Sequence, residues 1–255
     1  MSATHPEILS RSQLWDSTTP AAESPGGGLV MSRLDGPEWD QIVSSFDGVC
    51  QEQLFTYASN RWPGVTIDPM LFTCAGKPVG GALVMIQRLP LNLAGIAMIK
   101  WGPMLADDET AETASNMLRM QDLLIQTYSK QQKLMLSIMP PVDSVTPNPA
   151  LEQLVARGFS VGYGIRHPMR YVVDVTLDDE ARMAAFQQKW RYHLRKSFKK
   201  DLTFEHAPAG DLGRFMDLYR AMSVRKQFPD YSAVKMLDKL MAMPDGSARP
   251  ELFFV

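Results

Sequence analysis

Cysteine is scarce in this sequence: Cys50 and Cys74 are the only two. Two thiols make neither a disulfide framework nor a CxxC metal pair, so they read as two buried thiols in a reducing compartment. Long apolar runs are missing as well. The stretches near 80–86 and 93–99 are short and interrupted, well under the roughly 18 to 20 residues a membrane span needs. Residues 1–24 hold no apolar segment of the kind a secretory signal requires. A cytoplasmic location follows, with a peripheral position on the inner membrane face left open. Ser24-Pro25-Gly26-Gly27-Gly28 is rich in glycine but lacks the strand, helix and Lys of a phosphate loop. His5, His167 and His193 are too far apart to suggest a metal site. Asp143, Asp174 and Asp230 form no spaced carboxylate pair, and no Ser-His-Asp arrangement stands out.

What is present is ordinary in bulk and unusual in one place. A chain of 255 residues, 45% hydrophobic and 21% charged, suits one large domain or two of common size. Its 17 methionines read as core filling. The formal net charge is −2, yet residues 189–200 carry six Lys or Arg and no acid. Positive charge this local implies an anionic partner.

Residues 1–29 read as a flexible arm. Helices are expected over 37–46 and 51–61, the second stopped by Trp62-Pro63-Gly64. Strands follow at 69–74, 79–88 and 94–101, close enough in sequence to pair antiparallel. A long amphipathic helix over 109–130 offers Met117, Met120, Leu124 and Tyr128 on one side. A strand at 133–139, a helix at 149–157 ending at Gly158 and a strand at 170–175 complete a first domain, 30–177. A helix capped by Asp178 or Asp179 runs to about Lys199 and carries the basic segment, making 178–200 an interdomain helix. Residues 201–255 open a second α/β series. It has a strand at 202–205, a helix at 211–226 with Leu212, Phe215, Leu218, Tyr219 and Met222 as its buried stripe, a helix at 231–243 and a strand at 250–255. Two short strands and two helices are little to bury a sheet face, which points to a truncated second domain, or else to packing on the first.

Three stretches in this order carry a resemblance. The block 80–88 is followed by a strand and turn at 95–105 with Lys100-Trp101-Gly102-Pro103. The basic helix comes next, and then Phe204-Glu205 with the helix through Phe215, Leu218-Tyr219, Met222 and Arg225. Over residues 37–255 the chain resembles the double-domain, GNAT-like FemAB aminoacyltransferases that form peptidoglycan bridges. The resemblance implies an α/β GNAT-like acyltransferase fold, with one largely complete domain plus the beginning of a second. It also implies metal-free transfer of an acyl or aminoacyl group to an amine. The donor would be an aminoacyl-tRNA or acyl-CoA, with no resident cofactor. The acceptor would be an anionic small molecule or a lipid-linked substrate. The chain shows no Gln/Arg-x-x-Gly-x-Gly/Ala cradle for a CoA pyrophosphate.

Direct transfer needs a neutral amine, a positive environment for the developing oxyanion and a held leaving group. Arg191, Arg195 and Lys199 are four residues apart and share a helix face, with Lys196 beside them. Arg can fork onto phosphate oxygens while Lys acts as a point charge. Trp190, Leu194 and Phe198 are the expected apolar anchor of that helix. Arg225 and Tyr219 on the next helix, and Lys100 and Trp101 at a strand end, are further substrate-binding candidates. Lys100 would face the groove and Trp101 would stack on a sugar or base. No catalytic residue is assigned. The alternatives are a noncatalytic module that binds an anionic envelope precursor or nucleic acid, and a helix that docks an acidic protein.

Overall fold

A computed structural model describes residues 22–23, 28–46, 48–90, 94–106, 111–140, 149–162, 173–227, 233–243 and 249–255. The chain divides into two compact units, Met1–Met139 and Pro140–Val255. The division falls well before the boundary expected at 177.

In chain order the first unit has strands β1 (Ala22–Glu23) and β2 (Leu29–Arg33), then helices α1 (Gly36–Val43) and α2 (Phe55–Arg61). Strands β3 (Thr66–Cys74), β4 (Lys77–Arg88), β5 (Gly95–Lys100) and β6 (Met104–Leu105) follow. Helix α3 (Ala111–Leu124) and strand β7 (Met135–Met139) close it. The sheet order is β1-β2-β3-β4-β5-β7, with β6 also pairing with β4. The β3-β4-β5 ladders are antiparallel, as the short connections imply; β2 also pairs antiparallel with β3, and β5 pairs with β7 in parallel across the α3 crossover.

β4 is buried continuously from Gly80 to Ile86, which is why it reads as an unbroken apolar run rather than an alternating one. Gly80 and Gly81 are required by close approach. A Cβ at Gly80 would sit 2.5 Å from the Met104 carbonyl oxygen, and one at Gly81 would sit 2.7 Å from the Trp39 ring. α3 lays Met117, Met120, Leu124 and Tyr128 against the sheet, all buried, as its periodicity predicts. Met31 and Met70 join them, so several methionines do fill the core.

Some expectations do not survive. Leu29 is buried in β2, and β1 pairs with β2, so the expected arm at 1–29 supplies strands at 22–23 and 29. The helix expected over 51–61 is a 3-10 turn, Gln51–Gln53, and then α2. Leu54 between them is extended (φ −83°, ψ 131°). The buried Asp40 carboxylate accepts from the Phe55 and Thr56 amides (2.6 and 2.9 Å) and so starts α2. Beyond Leu124 the helix continues as a π-helical turn, Ile125–Gln131.

The second unit has helices α4 (Pro149–Ala156), α5 (Asp179–Ala185) and α6 (Gln188–Phe198). Strand β8 (Glu205–Ala207), helices α7 (Leu212–Lys226) and α8 (Leu237–Met241) and strand β9 (Leu252–Phe254) follow. β8 and β9 pair antiparallel, Glu205 opposite Phe254. The single helix expected from 178 to 199 is two helices, because Phe186 and Gln187 are both extended. Asp178 caps the first, accepting from the Ala181 amide at 2.8 Å. Residues 173–175 form no strand; the rest of that expected element, 170–172, lies outside the described residues, as do His167, Asp143 and Asp230. The strand expected at 202–205 begins only at Glu205. The helix expected over 231–243 is a 3-10 turn, Ala233–Met236, followed by α8, with 231–232 outside the described residues. α7 buries no residue fully, and Leu218 is 56% exposed, so its expected stripe is only half covered. Ala207, Leu252 and Phe254 form a small buried cluster with Leu212, Phe215 and Met241 partly covered beside them.

Candidate anion-binding site

α6 forms where Gln187, extended, offers its carbonyl to the Arg191 amide at 3.0 Å. The helix that follows has basic residues Arg195 and Lys196 in its last turn, where positive charge offsets the negative end of the helix dipole. An open groove of about 700 Å³ runs along it, lined by Gln188, Arg191, Tyr192, Arg195, Lys196 and Lys199. Arg191, Arg195 and Lys196 on α6 and Lys199 at its C-terminal cap therefore line one surface. Arg195, Lys196 and Lys199 are exposed and present their charge to solvent.

Arg191 has a second task. Its Nη1 donates to the carbonyl oxygens of Ala184 (3.0 Å) and Phe186. The guanidinium thus ties the C-terminal end of α5 to α6 across the extended Phe186–Gln187 link. Sequence spacing could not show this, because the break in the helix was not visible in it. The expected apolar anchor is also corrected. Trp190 is 57% exposed and Phe198 68%, and Leu194 is only half-buried. His193 meets Tyr192 edge to face at 5.3 Å and does not line the groove.

Tyr219 and Arg225 lie on α7 and do not line the groove either. The Tyr219 ring stacks on Phe215 at 6.3 Å, and Arg225 is exposed in the last turn.

In the first unit, Lys100 ends β5 half-buried, with its ammonium 4.0 Å from the centre of the Trp62 ring. Burial lowers its pKa, partly offset by Glu52. Tyr57 meets Trp62 edge to face at 5.9 Å, and its phenol is pushed up by burial and then by Glu52. Trp101 is buried at positive φ (53°), and its carbonyl oxygen accepts from the Gln53 side-chain amide. A ring so covered does not serve as a platform for an external sugar or base, which corrects the role expected for it. The β5–β7 pair stays closed to its end: Lys100 faces Met139, and the Gly102 amide donates to the Met139 carbonyl at 3.1 Å.

Among the described residues no group of three His, Cys, Asp or Glu converges as metal ligands would. No helix among them is long and apolar enough to cross a membrane.

No protein-family model matches the chain, and no curated protein matches it. Solved structures do. The crystal structure of FemX matches with a TM-score of 0.55 at 20% identity, over 83% of this chain and 54% of the FemX chain. The fold is GNAT-like. Two further similar structures are a ribosomal-protein-alanine N-acetyltransferase from Brucella melitensis biovar Abortus 2308 and an acetyltransferase from Trypanosoma brucei. The first has a TM-score of 0.37 and 12% identity, over 57% of this chain and 100% of that one. The second has a TM-score of 0.36 and 15% identity, over 56% and 99%. This chain thus spans about half the length of the FemX chain, and it pairs a GNAT-like sheet with a second, smaller α/β unit that carries the cationic groove.

Proposed function

We propose that the chain serves acyl or aminoacyl transfer to an amine, and that the α6 groove holds the phosphates of a donor or acceptor. The observation that carries this reading is the convergence of Arg191, Arg195, Lys196 and Lys199 on one groove in a chain whose fold is shared with FemX. In such a reaction the neutral amine attacks the acyl carbon and forms the C–N bond. The ester or thioester bond breaks, the leaving group takes the electron pair and the amine proton passes to a base. The cations described here would hold phosphate oxygens and so fix the ligand; they are not the base. The donor classes are aminoacyl-tRNA and acyl-CoA. The acceptor class is an amine on a nucleotide- or lipid-linked pyrophosphate.

A second reading is a module that binds without transferring. It is favoured by what the groove presents, an open surface of cations and hydrogen-bond donors suited by itself to holding phosphate oxygens. Both readings share a binding step. Titration with inorganic pyrophosphate and with uridine diphosphate at low salt should show binding that weakens as salt rises. Arg195→Ala and Lys196→Ala should each weaken it several-fold. No binding by either probe at low salt sinks both readings. Mass spectrometry for an acyl group moved from aminoacyl-tRNA or acyl-CoA onto an amine acceptor then separates them: transfer supports the enzyme, and binding alone supports the module.

A further inference from the structure

The basic segment carries a second feature that the groove does not use. At about 100° per residue, Trp190, Leu194 and Phe198 fall on one side of α6, spanning about 80° of its circumference. Trp190 and Phe198 are exposed, and the chain continues through Leu202 and Phe204, 40% and 72% exposed. This apolar stripe has cations along both borders. Arg191 and Arg195 follow on one side and Lys189 lies on the other, with Lys200 just past the end of the helix. From residue 189 to residue 204 the only acid is Asp201.

We propose that the exposed apolar side chains of this segment, the α6 stripe together with Leu202 and Phe204 just beyond it, dock the protein on an anionic lipid bilayer surface. The aromatic and aliphatic side chains would enter the headgroup boundary while Lys and Arg reach the lipid phosphates beside them. Charge on both borders decides the occupant. A membrane plane offers anionic headgroups on either side of an inserted stripe. A nucleic-acid backbone runs as a track, and its bases stack on flat aromatic faces rather than on Leu194 and Leu202. Six cations within twelve residues complement an anionic leaflet. The proposal does not rest on the transferase reading, since Phe198, Leu202 and Phe204 lie outside the groove lining.

The test is flotation of the full chain with vesicles of phosphatidylcholine alone and of phosphatidylcholine mixed with phosphatidylglycerol. Binding should be at least roughly tenfold stronger on the anionic vesicles. Phe198→Ser combined with Phe204→Ser should reduce it by roughly tenfold or more. Both side chains are exposed, so thermal unfolding and pyrophosphate titration should match the parent protein. Lipids brominated on the acyl chain should quench tryptophan fluorescence, and Trp190→Phe should remove most of that quenching. Equal binding to neutral vesicles, no binding to either, or binding undiminished in the double variant overturns the proposal. So does anionic binding without quenching, which is charge attraction alone. RNA binding lost in the double variant while vesicle binding persists assigns the stripe to nucleic acid and overturns it too. Concentration-dependent self-association abolished by the same variant, with no vesicle binding, assigns the stripe to a second copy of the chain.

Discussion

The two units use the same elements and bury them very differently. In the first, β4 is covered continuously from Gly80 to Ile86, and α3 with the π-helical turn after it supplies a buried stripe ending at Tyr128. In the second, α5, α6 and α7 bury no residue fully, and the β8–β9 cluster rests on Ala207, Leu252 and Phe254. The cationic groove is in the thin unit. Side chains in the first unit are constrained by packing; many in the second are free to meet a ligand.

Core truncation should expose this contrast most strongly. Phe72 is fully buried in β3 within the main core. Phe72→Ala should cost about 3–5 kcal/mol in urea unfolding. Phe254→Ala removes an equal side chain from a smaller cluster, with the Arg214 guanidinium 4.0 Å above its ring, and should cost about 1–3 kcal/mol. Hydrogen exchange adds a second readout: amides of β3, β4 and β5 should exchange last and those of α6 and α7 early. Equal losses from the two substitutions, together with uniform exchange, would remove the contrast.

Buried polar groups come next. Asp40→Ala leaves the Phe55 and Thr56 amides without their acceptor and should cost about 1–2 kcal/mol. The penalty should be visible as lost helicity near α2. An unchanged melting temperature would show that α2 needs no such start.

Much of the first unit was legible because burial there follows simple periods. The i, i+3, i+4 spacing through Met117, Met120 and Leu124 names the face of α3. The turn at Ala75-Gly76 and the apolar run in β4 name a hairpin. β2 was missed because Leu29–Arg33 is only five residues long and follows directly on the glycine run, which reads as part of a loose arm. The α5–α6 break carries no Pro or Gly. It is held by a side-chain contact that no residue pattern announces, the Arg191 guanidinium on the Ala184 and Phe186 carbonyls. The basic groove was legible because four-residue spacing on a helix is local geometry. The exposure of Trp190 and Phe198 was not, since an aromatic at helical spacing reads the same whether or not anything covers it.

Asp68 is one contributor to the pH dependence of the first unit. Asp68 is buried; it faces Arg33 at 3.3 Å and accepts from the Tyr128 hydroxyl at 3.3 Å. Burial raises its pKa above 3.8, and Arg33 and then Tyr128 only partly oppose this. A raised folded-state pKa contributes stability that is complete below the unfolded value and is lost as pH climbs through the folded one. The parent protein should therefore lose stability relative to Asp68→Asn from about pH 4 upward, and the variant's curve should be flatter. A difference that grows in the opposite direction would mean that the Arg33 pair outweighs burial.

The smallest stability effects should fall on α6, where they separate support from binding. Arg195 is exposed and lines the groove, so Arg195→Ala should change unfolding by no more than about 0.5 kcal/mol while weakening pyrophosphate binding. Arg191 lines the same groove but also holds the end of α5. Arg191→Ala should cost about 1 kcal/mol as well as binding. Arg191→Lys keeps the charge but not the planar fork, so it should recover more of the binding than of the stability. If Lys restores both equally, Arg191 acts only as a charge, and the α5–α6 link is set by the backbone rather than by its guanidinium.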